Sequence, residues 1–383
     1  KIKGFKNLKI DIYCERTTLI PYVKIEYEKK LDDHDDLEKA IGELYEKGYL
    51  SDLEKFGKRI ESAKDFKIPG EKIHEYRANN PLGVEALYTV HRCDFYADGF
   101  QDFNSYMQPW IIWMVDGGSY IEPHPFWTFY LLFETDQATG YVSFVGYGNS
   151  FRFYQDLTKY RSKISQFVIL EPWGRRGHGS RMLNLMYKDA REDTKCIEIT
   201  VEDPSLEFQY MRDVNDLREC LDHDYFKWVR GEADPIHPLR FERYTINPDD
   251  ITAINTRLKL PKIQVRRCFE LAKYAKMSKE PLNQLKFRRE VKKRLCTLNY
   301  ERYKTTIMKF MKIEPKRTHR NYYEFCDTLG EINDDEDKEN VEITIGQLKN
   351  DLNDFFTELQ SEYDAILPKV QKVITPVDTP TNQ

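Results

Sequence analysis

The chain has 383 residues, long enough for two or three domains with real cores. Charged residues at 32% and hydrophobic residues at 40% are the proportions of a soluble globular protein, which sets aside disordered and collagenous classes. The net charge of -5 excludes a surface built as a whole for nucleic acid, though a local acidic surface would suit a basic partner.

The cysteines at 14, 93, 196, 220, 268, 296 and 326 are scattered and none forms a CxxC pair. A zinc ribbon or disulfide framework is therefore not expected, and a reducing compartment fits best. No apolar run is long enough for a membrane span and no signal-peptide pattern is present, so no membrane partner is expected. The chain opens on Lys1 rather than Met and is expected to be a trimmed piece.

In chain order, LKIDIYCE and IPYVKIEYEKKL alternate apolar and polar residues as half-buried strands do, and DLEKAIGELYEKGYL reads as a helix. These place an amino-terminal α/β domain over residues 1–80. Residues 81–246 read as one α/β catalytic unit. MQPWIIWMVDGGSYIE sets an apolar segment before a Gly-Gly break. FWTFYLLFE and YVSFVGYG form a hairpin around TDQATG, and KISQFVILEPW is a further strand running into GRRGHGS. SRMLNLMYKDAR is a helix with Met182, Leu183, Leu185 and Met186 on its apolar side. TKCIEITVEDP is a strand and PSLEFQYMRDVNDLRECL a helix, which makes a mixed α/β sheet.

Residues 247–315 read as a carboxy-terminal helical domain, from INPDDITAINTRLKL, KIQVRRCFELAKYAKM and LNQLKFRREVKKRL, followed by the basic amphipathic YERYKTTIMKFMKIEPKR. Residues 316–383 carry the acidic run GEINDDEDKEN, expected to be a flexible linker, and a tail expected to be disordered. Between them Ile345, Leu348, Leu352, Phe355 and Leu359 form a short heptad stripe. Such a stripe either packs on its own domain or binds a coiled-coil partner over 341–366.

The turn Gly174-Arg175-Arg176-Gly177-His178-Gly179-Ser180 leaves a strand and opens a helix. That arrangement directs unpaired backbone N–H groups and a helix dipole at an anion, while glycines admit close approach and arginines add charge. Glycines also close strands with no ligand present. No lysine follows as in a Walker A loop, the order is not GxGxxG, and Ser180 is not framed as in a nucleophile elbow. The pattern is similar to [Q/R]xxGx[G/A], the coenzyme A pyrophosphate loop of GNAT N-acetyltransferases, with Gly174 standing where Gln or Arg is usual. The next strand ends in Glu202 and Asp203. A lysine ammonium, with a pKa of about 10.4, must lose its proton before it attacks a thioester, and a carboxylate there can take it. Asp203-Pro204 also reads as a helix N-cap and first position.

FVILEPWGRRGHGSRML followed by IEITVEDPSLEFQYMRDVNDL resembles the catalytic subunit family of type B histone acetyltransferases. WMVDGGSYIE with FWTFYLLFE, and GFKNLKI near the start, carry the likeness further, over roughly residues 3 to 315. The resemblance implies a GNAT fold and acetyl-CoA held by Phe167, Val168 and Ile169 and by the loop Gly174 to Ser180, with Arg175, Arg176, Gly177, His178 and Gly179 within it. It implies Glu202 as general base, Asp203 as assistant and Asp116 as a second acidic position, where the family tends to carry Glu; Asp116-Gly117-Gly118 also reads as a plain turn. The implied substrate is the amino-terminal tail of histone H4, contacted by Trp127 and by Val145, Gly146 and Tyr147. The family often has an aromatic residue at the position of Val145, and Trp127 also reads as an ordinary buried strand aromatic. A WD-repeat histone chaperone subunit is the implied partner, in nucleus and cytoplasm. No metal and no direct nucleic-acid contact are expected. His178 reads as structural, and no HExxH cluster exists. A GNAT enzyme for another amine, or a histone-binding scaffold with a weakened cofactor site, are the competing readings.

Overall fold

Short strands β1 (Phe5–Lys6) and β4 (Lys29–Lys30) pair antiparallel, as do β2 (Lys9–Cys14) and β3 (Pro21–Glu26). Helices α1 (Leu37–Leu44) and α2 (Leu53–Ser62) follow, each opened by an aspartate. Asp36 accepts from the Lys39 N–H at 3.0 Å and Asp52 from the Lys55 N–H at 2.9 Å, which satisfies donors the helix leaves open. The computed structural model describes residues 2–230, 246–277, 281, 283–295 and 335–375.

The central element is a six-stranded sheet in the order β10-β9-β8-β7-β6-β5. Its strands are β5 (Glu71–Asn79), β6 (Glu85–Cys93), β7 (Trp127–Thr135), β8 (Val142–Tyr154), β9 (Tyr160–Ile169) and β10 (Cys196–Val201). All neighbours are antiparallel except β9 and β10, which are parallel and joined through helix α4 (His178–Glu192). The β5–β6 hairpin straddles residue 80, so the sheet begins ahead of the expected start at 81.

Helix α3 (Phe100–Met114) is formed by the apolar segment MQPWIIWM and the residues before it. Its Phe100, Phe103, Met107 and Ile111 pack with Phe129, Leu131, Phe133, Phe144, Tyr147 and Val168 on one face of the sheet. On α4 the buried residues Met182, Leu183, Met186, Tyr187 and Ala190 recur at helical spacing. A Cβ on Gly148 would meet Met186 Sδ at 3.2 Å and Met182 Cε at 3.4 Å. Gly148 thus faces α4 while its neighbour Tyr147 faces α3, so the two helices cover opposite faces.

The link from β2 to β3 is stitched onto the sheet. The buried Glu15 carboxylate accepts from the Thr17 and Thr18 N–H groups and from the Tyr141 hydroxyl, and the Phe144 N–H donates to Arg16 O at 2.8 Å. Lys259 closes the other end of α4, donating to the carbonyls of Ala190, Arg191 and Asp193 at 2.8, 3.0 and 2.7 Å, where a cation suits the helix dipole.

The described residues divide into two compact units, one within Lys1–Met211 plus Lys259–Pro261, the other within Arg212–Leu258 plus Lys262–Gln383. The boundary falls inside helix α5 (Leu206–Asp222). The second unit is helical: the rest of α5, α6 (Pro248–Leu258), α7 (Lys262–Lys276), α8 (283–295) and the long α9 (Asp335–Ile374).

One expectation changes here. Residues 335–340, expected in a flexible linker, form the start of α9. An acidic helix start is favourable at the positive end of the dipole, so charge alone did not mark a linker. Of the heptad stripe, Leu348 and Leu359 are buried and Leu352 and Phe355 are half-buried, and α9 packs on α7 of the same unit. The basic segment at 300–317 and the tail beyond 375 lie outside the described residues.

Asp213, fully buried in α5, accepts from Arg267 Nε at 2.8 and 3.0 Å and from Gln264 Nε2 at 3.0 Å, while Arg267 Nη2 reaches Glu362 at 2.6 Å. Arg267→Ala strips a buried carboxylate of its cation and should destabilise this unit by about 3–5 kcal/mol, read by urea unfolding.

Candidate active site

The site forms where two strands part. β10 pairs with β9 only up to Val201 opposite Ile164, and the Glu202 N–H makes the last bond, to Ile164 O at 2.8 Å. β9 runs on for five more residues. It carries an extra residue at this point, since Gly148 faces Phe167 while Ser150 faces Ile164, and such a bulge re-aims the strand. Beyond it the Gln166 N–H bonds Asn149 Oδ1 at 2.9 Å and the Leu170 N–H bonds Val145 O at 2.9 Å, both on β8. Alternation along a strand then turns the backbone groups of Phe167 and Ile169 to the edge that β10 has left.

The glycine turn follows directly. A short 3₁₀ turn, Glu171–Trp173, is closed by the Gly174 N–H on Glu171 O at 2.9 Å. Arg175 has φ of 58° and Gly177 φ of 87°, both left-handed. Gly177 is the N-cap of α4, and no side chain caps the helix. The first intrahelical bond is the Arg181 N–H to Gly177 O at 3.1 Å, so the N–H groups of His178 and Gly179 have no acceptor within the helix. A Cβ on Gly177 would meet nothing within 4 Å, so open space lies beside it. Gly179 is different: its Cβ would come within 2.9 Å of Met211 Sδ and 3.6 Å of Phe167 and Ile169, so glycine here lets α4 approach β9 closely. Arg175 and Arg176 are exposed at the turn.

A clamp holds the turn from below, and its members were not apparent in the sequence. The buried Glu134 carboxylate accepts from Trp173 Nε1, from the Tyr88 hydroxyl at 2.8 Å and from Asn80 Nδ2 at 3.4 Å. The Tyr76 hydroxyl lies 2.6 Å from His178 Nδ1, and Arg181 sits over the Tyr76 ring at 4.7 Å. His178 is 1% exposed, and burial, helped by Arg181 and Arg176, pulls its imidazole down to about 4. The imidazole is therefore neutral at pH 7.

Glu202 sits at the parting of the strands. Its Oε1 is 2.7 Å from Lys163 Nζ and its Oε2 accepts from Ser165 Oγ at 2.5 Å. The bond to Lys163, then the one to Ser165, holds the carboxyl below its usual range against a smaller push from burial. Asp203 is exposed with φ of 32°. It does not cap α5: the cap is Ser205, whose Oγ accepts from the Phe208 N–H at 3.3 Å, because the left-handed Asp203 still belongs to the turn. Asp116 is exposed in the turn after α3. That turn is tied to β9 through Gln166 Nε2, which donates to Ser119 O at 2.7 Å one residue from Ser165.

The expected tail-binding residues lie deeper. Val145, Gly146 and Tyr147 are buried in β8, and the Tyr147 hydroxyl donates to Gln166 at 2.9 Å. A Cβ on Gly146 would fall 2.7 Å from Val168 O, so this glycine sets the spacing of β8 and β9. Trp127 is half-buried at the start of β7, edge-on to Phe151 at 4.8 Å.

Residues 84–208 match the family described as Acetyltransferase (GNAT) family, and residues 1–116 the one described as Histone acetyl transferase HAT1 N-terminus. The chain is an acyltransferase with a GNAT acetyltransferase domain, similar to the type B histone acetyltransferases. Among similar proteins, the "Histone acetyltransferase type B catalytic subunit" of Cryptococcus neoformans is 28% identical over 79% of each chain. The human protein of the same description is 26% identical, over 77% of this chain and 70% of its own. A Dictyostelium discoideum relative is 28% identical over 78% of this chain and 62% of its own. A solved aminoglycoside acetyltransferase from a soil metagenomic sample aligns over 42% of this chain and 95% of its own, at 12% identity and a TM-score of 0.24.

The GNAT match over residues 84–208 implies the use of acetyl-CoA. The acetyltransferase's residues suit that group: an uncapped helix start, open space at Gly177 and a strand edge left without its neighbour. Among the described residues no cluster could hold a metal ion.

Two measurements test this site. Gly177→Ala forces a left-handed backbone on an L-residue at about 1–2 kcal/mol, so coenzyme A affinity should fall about tenfold by calorimetry. The His178 imidazole titrates near 4 in the native protein against an ordinary 6.5. Between those values the unfolded chain binds the extra proton, so stability falls as pH falls, by up to about 3 kcal/mol. Unfolding curves from pH 7 to 4 should show that slope, and His178→Gln should remove it.

Proposed function

We propose that this acetyltransferase modifies lysine side chains in the amino-terminal tail of histone H4, by direct transfer with Glu202 as general base. The observation that carries the reading is the Glu202 carboxylate at the parting of β9 and β10, one strand from the glycine turn. The relatives' description as type B histone acetyltransferases supports the substrate class.

Acetyl-CoA, when bound, supplies an activated acetyl thioester. The chain's own residues do the rest. Phe167 and Ile169 offer backbone groups along the open strand edge. The start of α4, with Arg175 and Arg176, would hold the pyrophosphate. Glu202 accepts the proton that the incoming ammonium must lose before its nitrogen can attack. Positioning the two reactants together lowers the remaining barrier. Asp203 and Asp116 add negative charge near the same end of the sheet, which suits a basic tail. A WD-repeat chaperone partner and residence in nucleus and cytoplasm belong to the same proposal.

Mass spectrometry of an H4 tail peptide incubated with acetyl-CoA and the protein should show acetyl groups on one or two defined lysines, with few on an unrelated lysine peptide. Equal labelling of both peptides would point to a general amine acetyltransferase. Glu202→Gln should lower turnover by about a hundredfold or more while leaving coenzyme A affinity unchanged. Near-intact turnover would remove Glu202 from the role of base.

A further inference from the structure

Glu202 is not a solitary carboxylate. Lys163 Nζ lies 2.7 Å from one oxygen and Ser165 Oγ 2.5 Å from the other, so both are tethered from the same strand. Lys163 is itself held on its far side, with Nζ over the Phe153 ring of β8 at 5.2 Å. Three strands thus meet at one ion pair. The next cross-strand pair, Arg161 with Glu198 at 3.3 Å, is separate, and Asp203 follows Glu202 in the chain. The Lys163 and Glu202 side chains are 30% and 43% exposed, and pairs so open to water contribute little to stability. A half-exposed lysine fixed between an aromatic ring and the proposed base calls for another explanation.

We propose that Lys163 is a positioning residue for acetyl transfer: with Ser165 it fixes the orientation of the Glu202 carboxylate, and its positive charge weakens that carboxylate's hold on the incoming ammonium. The proposal rests on Glu202 being the base. An unpaired carboxylate would bind the acceptor ammonium as a strong ion pair and stabilise the charged, unreactive form. A carboxylate already shared with Lys163 binds it less tightly, and the neighbouring positive charge favours release of the acceptor's proton. Binding of the ground state is given up and the deprotonated amine is gained, which raises turnover rather than affinity. Lys163 also holds the Glu202 carboxyl below its usual range, so the base stays ionised further toward acid.

The test compares Lys163→Met and Lys163→Arg with the parent protein, using a lysine peptide and acetyl-CoA across pH. Lys163→Met should lower kcat by about tenfold, leave the peptide KM unchanged or reduced, and move the acid limb of the kcat profile to higher pH. Lys163→Arg keeps the charge and should restore the limb to its original place. Coenzyme A affinity and thermal unfolding, measured on each variant, should match the parent. A fall in kcat with the limb unmoved, or a limb that arginine does not restore, overturns the proposal. Glu202→Gln separates the two ideas: if it retains turnover the base assignment fails, whereas if it is inactive and the Lys163→Met limb is unmoved, only the role of Lys163 fails.

Discussion

The parting of β9 and β10 after a single shared stretch is the constraint on which the site depends. Parallel strands that stayed paired would satisfy each other's backbone and leave nothing for a ligand. Here the bulge between Ile164 and Phe167 turns β9, and β10 ends at Val201. One strand edge is left with unspent N–H and C=O groups beside an uncapped helix start. Buried backbone groups are costly without partners, so an edge like this suits an extended, amide-bearing ligand. The same parting places Glu202 at its apex, since the Glu202 N–H makes the last bond across it.

The glycine turn is held by what lies beneath it. Left-handed Arg175 and Gly177 give it its shape, but the hairpin β5–β6 and strand β7 hold it in place. Tyr76 engages His178, and Glu134 draws Trp173 and Tyr88 to one carboxylate. Tyr76, Tyr88 and Glu134 lie on β5, β6 and β7, so these bonds tie the turn to three strands of the sheet.

The second unit shows the limit of periodicity. The heptad stripe of α9 is a real apolar face, and spacing alone left open whether the chain itself or a partner covers it. Leu348 and Leu359 are buried, and Tyr363, one turn beyond the stripe, lies against Tyr274 and beneath Arg267, so α7 of the same unit covers the continuation of that face. Likewise the acidic run ahead of the stripe was read by composition as a linker, yet residues 335–340 are helical. Charge at a helix start and charge in a linker look alike in one dimension.

What the sequence determined by itself were the local elements: the hairpin β7–β8, the order strand, glycine turn, helix, strand, and a carboxylate pair at the last strand's tip. Side-chain period and left-handed turns are properties of neighbours in the chain, so they are legible there. The sequence also carried the family likeness that named Glu202 and the loop. Helix α3 was hidden because Pro109 lies in its interior, where proline ordinarily argues against a helix. The tertiary structure alone decided the bulge in β9, the burial of Val145 to Tyr147, the clamp under the turn and the pairing of Glu202 with Lys163. These rest on contacts between residues far apart, 102 positions for Tyr76 and His178 and 39 for Lys163 and Glu202. Such contacts exist only once the sheet has brought its strands together, and no local pattern encodes them.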